Sequence, residues 1–297
     1  MQENVKFWSG KSKNINISGV IHIPDDIKAG ERRPAIIVLH GFGSMKDAVN
    51  VTGPTNMFLG WGYAVLRFDM RGCGTSDGLS GHLICLEQVE DTQAAITFLK
   101  GRPEVDTDRI CLVGSSFGAA VAVYTGGIDE RVSAVISSGG WGNGERKFRG
   151  QHSTPEAWEE FKRMLDESRQ YQKKTGKHMM VDRFAIVPIP EHLRNNMPVG
   201  SIQKFTAETA HGMMEFNAEE VIGGMAPRPI LLLHSSVDSV TPTEQSIEMF
   251  KRAGQPADLH LTADTDHFML AESNTRVINI ISDWLSKYFP IGRKNNA

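Results

Sequence analysis

The 297-residue chain has little of what marks several common protein classes. Its three cysteines, Cys73, Cys85 and Cys111, are an odd number with no metal or disulfide spacing. Reduced thiols in a cytoplasmic protein are the expectation. No stretch approaches the ~20 apolar residues of a membrane span, and Met1-Gln2-Glu3-Asn4-Val5-Lys6 lacks the apolar core of a signal segment. Neither sign of charge is in excess, with a net charge of −3. The basic stretches Lys11-Ser12-Lys13 and Glu145-Arg146-Lys147-Phe148-Arg149 are short and expected to be solvated. Nothing points to nucleic acid or to an anionic membrane. Ten histidines are present, but none in His-Glu-x-x-His spacing, so no metal is expected. Gly10-Lys11-Ser12 is similar to the end of a phosphate-binding loop, yet Val5 occupies the position of its earlier glycine.

What is present is a rhythm of short apolar strands and amphipathic helices. Residues 5–8 and 15–23 read as an antiparallel pair, and 35–39, 63–68, 110–114, 132–136, 230–234 and 258–261 as further strands. A helix is expected near 54–60. Leu86, Val89, Ala94, Ile96, Phe98 and Leu99 give another, closed by Gly101 and Pro103. Repeated strand–helix units imply a parallel sheet covered on both faces, with ligands beyond the C-terminal ends of its strands.

One junction carries the most chemistry. Ile110-Cys111-Leu112-Val113 is a buried strand, Ala119 to Tyr124 opens a helix that Thr125-Gly126-Gly127 is expected to end, and Gly114-Ser115-Ser116-Phe117-Gly118 joins them. Gly-x-Ser-x-Gly at such a place forces a tight turn with a strained serine, and only small residues two positions away on either side let strand and helix approach. The glycines frame Ser116, not Ser115. Position 116 also meets a helix N-terminus, whose partial positive charge favours a developing oxyanion. Ser116 is the expected nucleophile.

An acid and a histidine should follow in chain order, each just beyond a strand. Asp238 lies four residues past the strand ending at His234, and His267 follows the strand near 258–261. Asp266 adjoins His267, but successive side chains diverge, so it is read as fixing the loop; Asp264 is a weaker spare. His40 and His234 stand at strand ends, where structural hydrogen bonds are expected. Upstream, strand 35–39 runs into His40-Gly41-Phe42-Gly43. The main-chain amides of Phe42 and Phe117 are the expected oxyanion donors. Asp69, Arg71 and Asp77 sit in a turn-rich loop and are read as scaffolding.

His40-Gly41-Phe42-Gly43, the run Asp69 to Gly78, the Ser116 turn, Asp238 and His267 together resemble the α/β-hydrolase family. The pattern is similar to its carboxylesterase branch, which includes cinnamoyl and feruloyl esterases and acyl-peptidase-like relatives. The likeness covers roughly 1–139 and 226–290. Ser235 and Phe117 depart from the commonest pattern, where glycine and glutamine are frequent. The resemblance implies an α/β-hydrolase fold, a mostly parallel twisted sheet with helices on both faces and a mainly helical cap insertion. Residues 1–139 and 226–297 would form the core and 140–225 the cap (lid).

Within 140–225, Ser153-Thr154-Pro155-Glu156 opens a helix with a capping pattern. Its apolar face is Trp158, Phe161, Met164 and Leu165. Met179, Met180, Phe184, Met197, Phe205, Met213, Met214, Phe216 and Met225 follow, some of which should wall an adaptable pocket. The expected function is a cofactor-independent serine esterase cleaving small to medium carboxylic esters. A thioesterase, amidase or acyl transferase with the same three residues is the nearer alternative, and a non-enzymatic ligand binder on this fold the farther one. A homodimer is allowed by the sequence; the partner expected is a small-molecule ester, with neither nucleic acid nor membrane.

Overall fold

A computed structural model describes residues 1–10, 14–270 and 274–292. The Lys11-Ser12-Lys13 stretch lies outside the described residues. The chain runs β1 (Gln2–Ser9), β2 (Ile15–His22), β3 (Arg33–Leu39), α1 (Val49–Gly60), β4 (Ala64–Phe68), α2 (Cys85–Lys100), β5 (Val105–Ser115), α3 (Phe117–Ile128) and β6 (Ala134–Ser138). It leaves the sheet through α4 (Gly144–Gln151), α5 (Pro155–Thr175), β7 (Met180–Asp182), α6 (Arg183–Ile186), α7 (Glu191–Arg194), β8 (Lys204–Thr206) and α8 (Ala207–Met214). Two short 3₁₀ turns lead back to β9 (Ile230–Ser235), α9 (Glu244–Arg252), β10 (Ala257–Thr262) and α10 (Thr275–Tyr288).

The eight-stranded sheet has the order β1-β2-β4-β3-β5-β6-β9-β10. β1 pairs antiparallel with β2 and β2 with β4; the remaining pairs are parallel. Why the central strands are continuously apolar is visible in their two faces. Ala35, Ile37, Leu39, Ile110, Leu112, Val135, Ile230 and Leu232 pack into one core layer. Their neighbours Ile36, Val38, Cys111, Val113, Ala134, Ile136, Leu231 and Leu233 pack into the other. α2 and α3 cover the first face, α1 and α10 the second. Each such aliphatic side chain contributes roughly 1.5–3 kcal/mol by leaving water. The chain turns from β3 to β4 on one side and later from β3's other neighbour β5 outward. The β3/β5 boundary is therefore the switch point, where a crevice opens beyond the strand ends.

Several boundaries differ from the sequence reading, three of them for a visible reason. α1 begins at Val49, not near Pro54, because burial of Val51, Thr55 and Phe58 overrides the proline, which lies inside the helix. α3 continues through Gly126 and Gly127 instead of ending there. A Cβ on Gly126 would sit 2.6 Å from Met225 Sδ, and one on Gly127 2.3 Å from the Val221 carbonyl oxygen. Those glycines admit the returning chain. β5 starts at Val105, its polar first half hidden from an apolar-run search, with a register shift against Arg33 and Ala35.

Candidate active site

The strand–helix turn at the end of β5 places Ser116 at the N-cap of α3 with φ 55° and ψ −115°. This is a conformation that costs a non-glycine residue free energy. The surroundings hold it there. A Cβ on Gly114 would meet the Gly118 carbonyl oxygen at 2.2 Å, and one on Gly118 the Leu39 carbonyl oxygen at 2.5 Å. The Ser116 amide donates to the Ser138 carbonyl at 2.8 Å, fastening the turn to β6.

The structure brings Ser116, Asp238 and His267 together. His267 Nδ1 is 2.9 and 3.1 Å from the two oxygens of Asp238, which can only accept, so Nδ1 carries the proton. That leaves the Nε2 lone pair facing Ser116 Oγ at 2.8 Å. Asp238 is buried and also accepts from the amides of Val240 and Thr241 at 2.8 and 2.7 Å. His234 stands on its other side, with Nε2 3.2 Å from Asp238 Oδ2 and 2.9 Å from the Thr241 carbonyl. Both partners accept, so His234 Nε2 is protonated and Nδ1 takes the Ser246 hydroxyl at 2.6 Å. Burial alone would raise the Asp238 pKa. The charge of His267, the bond from His234 and that from His267 outweigh it and hold the carboxyl well below its ordinary value.

Asp266 does not reach the imidazole this way. It accepts from the Ser239 amide, the Ser239 hydroxyl and its neighbour His267's amide, at 2.8, 2.7 and 2.7 Å, and so joins the two loops. Asp264 takes a left-handed φ of 60° in an exposed turn. Asp69 receives the Lys46 ammonium at 2.7 Å, Arg71 pairs with buried Asp91 at 2.7 Å, and Asp77 accepts from the Asn16 amide at 2.9 Å.

The loop after β3 lies against the nucleophile: a Cβ on Gly41 would be 3.8 Å from Ser116 Cβ. His40 organises it. Its Nε2 accepts from the Met70 amide at 3.1 Å, so Nδ1 bears the proton and donates to the Gly41 carbonyl at 2.9 Å. Burial lowers its pKa, keeping it neutral in this role. Among the described residues neither the Phe42 nor the Phe117 amide has a hydrogen-bond acceptor. Both start turns beside Ser116, where an oxyanion would be met.

Sequence reasoning missed Arg183, for which no motif exists. The first residue of α6, it is 5% exposed. Its Nη2 donates to the Phe42 carbonyl at 2.7 Å and its Nη1 to the Ile202 carbonyl at 2.9 Å. The guanidinium carbon stands 5.1 Å from the Phe42 ring centre and 5.8 Å from that of Phe205. The two rings stack at 4.1 Å. Burial lowers the Arg183 pKa to about 10, which leaves it charged at neutral pH. Among the described residues it has no carboxylate partner. The cavity over Ser116 encloses about 40 Å³ and is lined by Gly41, Phe42, Arg183, Val187, Ile189, Met197, Val240, His267 and Phe268, among others. Roomier hollows, of about 420 and 670 Å³, lie between α5 and α6 and along β1 and α2, away from Ser116.

One expectation is corrected outright. Lys147 is not solvated but 2% exposed, because α4 turns it inward. Its ammonium sits 3.9 Å from the Phe148 ring centre and 5.0 Å from that of Trp141, and donates to Gln151 Oε1 at 2.7 Å. Burial pulls its pKa down to about 7. Arg146, beside it, pairs with Glu219. The three cysteines are buried, and burial pushes their thiols far above the ordinary range, so they are poor nucleophiles.

The profile of the family described as serine aminopeptidase, S33 (Hydrolase_4), matches residues 30–274. The chain belongs to that family. As a member of Hydrolase_4 it is an enzyme of the α/β-hydrolase type. It is 27% identical over 268 residues to an Escherichia coli protein described as an uncharacterized 31.7 kDa protein in the traX-finO intergenic region, covering 86% of this chain and 92% of that one. It is 27% identical over 248 residues to the polyketide transferase grgF of Penicillium sp, covering 80% and 82%. The thiohydrolase aneE of Aspergillus aculeatus is 25% identical, covering 79% and 78%. The fold is shared with the crystal structure of the α/β hydrolase GrgF, with a TM-score of 0.80, 20% identity and coverage of 97% and 99%. Est1E of Butyrivibrio proteoclasticus, solved with ferulic acid bound, superposes with a TM-score of 0.65 at 16% identity, covering 92% and 96%. No helix among the described residues is long and apolar enough to cross a membrane.

Proposed function

We propose that this hydrolase cleaves carboxylic esters through an acyl-enzyme on Ser116. The observation that carries the reading is the continuous contact from Ser116 Oγ through His267 to Asp238, at 2.8 and 2.9 Å. His267 Nε2 takes the hydroxyl proton as Oγ attacks the carbonyl, and the buried Asp238 carboxylate stabilises the imidazolium that forms. The Phe42 and Phe117 amides receive the oxyanion. His267 then protonates the leaving alcohol and, in the second half, activates water to release the acid. Residues 140–225 act as a cap: Arg183, Val187, Ile189 and Met197 supply the wall opposite the sheet.

The charge of the pocket supports an ester over a peptide N-terminus. A protonated α-amino group needs an acidic partner, and among the described residues lining the cavity none carries a carboxylate; the fixed charge among them is that of Arg183. Neutral or electron-rich acyl groups suit such a wall. The free space of about 40 Å³ over Ser116 is small, and a shift of the cap's aliphatic side chains would widen it for substrate. A second reading, transfer of the acyl group to another alcohol or thiol, is favoured by the same enclosure, which limits water during deacylation. Relatives called polyketide transferase and thiohydrolase agree with it.

Matched ester, thioester and aminoacyl-amide substrates of one acyl group, assayed with and without added alcohol, test both readings. Turnover of the ester, lost in Ser116→Ala, is the expected result. Turnover of the aminoacyl amide alone overturns the ester assignment, and product dominated by the transferred acyl group replaces hydrolysis by transfer. Labelling of Ser116 by a fluorophosphonate probe separates an enzyme from an idle serine.

A further inference from the structure

Away from Ser116, three side chains that share no short motif meet where the inserted segment joins the core. His82 belongs to the loop between β4 and α2, His178 to the turn between α5 and β7, and Glu208 to the first turn of α8. One ligand atom from each lies within 4.8 Å of the others. The two imidazoles are 4.9 Å apart, centre to centre, and His178 Nδ1 is 3.2 Å from Glu208 Oε1. We propose that His82, His178 and Glu208 bind a divalent transition-metal ion, zinc by its ligand chemistry, which staples the inserted segment to the loop beside the sheet.

The donor set is the first argument. Two imidazole nitrogens and one carboxylate oxygen suit zinc in tetrahedral geometry, with bonds of about 2.0–2.2 Å and adjacent ligands roughly 3.3–3.5 Å apart. The His178–Glu208 edge, at 3.2 Å, already has that spacing, and the ligand atoms of all three residues lie within 4.8 Å of one another, so His178 and Glu208 have to draw closer to His82 when the ion binds. Glu208 Oε2 is buried and has no hydrogen-bond partner among the described residues. A buried carboxylate oxygen without a partner is costly, and a cation on Glu208 would offset that cost.

The second argument is the orientation of His82. The Thr209 hydroxyl donates to the Gly81 carbonyl at 3.1 Å, so it accepts in its 3.3 Å contact with Thr206. Thr206 has then spent its proton, and its oxygen accepts from His82 Nδ1 at 2.8 Å. The His82 proton is therefore on Nδ1 and the lone pair on Nε2. Such a hydroxyl behind an imidazole is how metal-binding histidines are held in one tautomer and one orientation.

The location gives the ion work to do. Thr206 ends β8, and its amide donates to the Gly81 carbonyl at 2.9 Å. The preceding residue is Phe205, whose ring stacks on Phe42 beside Ser116. A metal at His82, His178 and Glu208 would hold β8 down and, through Phe205, limit the freedom of the loop that carries the Phe42 amide. The site does not depend on the chemistry assigned to Ser116.

The test is zinc titration of the full chain, stripped with chelator and followed by competition with a chromophoric chelator. One equivalent should bind, with affinity falling at least tenfold in His178→Ala and in Glu208→Gln. Thr206→Val should cost about 10-fold by freeing the His82 ring. Thermal unfolding of the stripped protein should shift upward with one equivalent of zinc, and that shift should vanish in His178→Ala, a half-exposed turn residue whose loss leaves the fold intact. Absence of stoichiometric binding by the unaltered chain overturns the proposal. So does equal binding by the unaltered chain and the His178→Ala and Glu208→Gln variants, which would mean that His178 and Glu208 form only a hydrogen-bonded pair.

Discussion

The two walls of the Ser116 cavity are built on different principles. The sheet-side wall consists of short loops leaving β3, β5, β9 and β10, each anchored by a strand buried on both faces. Its polar groups are held by contacts within and between these loops: Ser116 by its glycine-framed turn, Asp238 by the amides of Val240 and Thr241, the Gly41 loop by the His40 imidazole. The opposite wall comes from the part of the inserted segment around the four-residue α6 and α7, where anchoring is by side chains reaching across. Arg183 is its pin, tied to carbonyls in both walls. Rigid chemistry on one side and replaceable packing on the other is how a fold keeps one reaction while its substrates change.

If that contrast is right, the largest effects belong to the sheet side. Ser116→Ala should reduce ester turnover to near background, and Asp238→Asn should lower kcat about 10⁴-fold, both with Tm within a few degrees of the parent. Steady-state kinetics beside a thermal melt decide it, and comparable losses in Asp238→Asn and Asp266→Asn would mean that the acid is misassigned.

Next comes the pin between the walls. Arg183→Met leaves the Phe42 and Ile202 carbonyls without their donor and should lower kcat about 10–10²-fold. That is less than removal of an oxyanion donor outright, because the Phe42 amide is displaced and not deleted. A change confined to KM, with kcat intact, would make Arg183 a substrate contact only and would dissolve the link between the walls.

A smaller effect, on stability alone, tests the insertion's packing. Lys147 has a folded pKa of about 7 against an ordinary 10.5. Between those values the unfolded chain holds a proton that the folded chain does not, so stability rises with pH across that window; below pH 7 the full desolvation penalty is present. Lys147→Met should raise Tm by a few degrees at pH 6, and the gain should shrink as pH climbs from 7 toward 10.5. An equal gain at pH 6 and pH 9.5 would contradict a neutral buried amine. Smallest of all is Asp266→Asn. Its oxygens accept from groups that an amide oxygen can still serve in part, so the expected loss is a few-fold in kcat.

Short motifs and alternating apolar runs were enough to expect the parallel sheet, the Ser116 turn and the places of Asp238 and His267, since each follows from local backbone geometry and strand burial. The same information misjudged Lys147, because a charged cluster on a short helix says nothing of what packs over it. Nor could it find Arg183, His234's hold on Asp238, or the meeting of His82, His178 and Glu208.

On its own, then, the amino-acid order determined the sheet, the strained serine turn and the strand ends beyond which Ser116, Asp238 and His267 lie. Period-two burial, glycine placement and chain order are properties of neighbouring residues. The second wall of the cavity and the place of the Arg183 guanidinium in it were decided only when distant segments packed together. Contacts between residues far apart in the chain depend on shape complementarity across the whole fold, which no local pattern records.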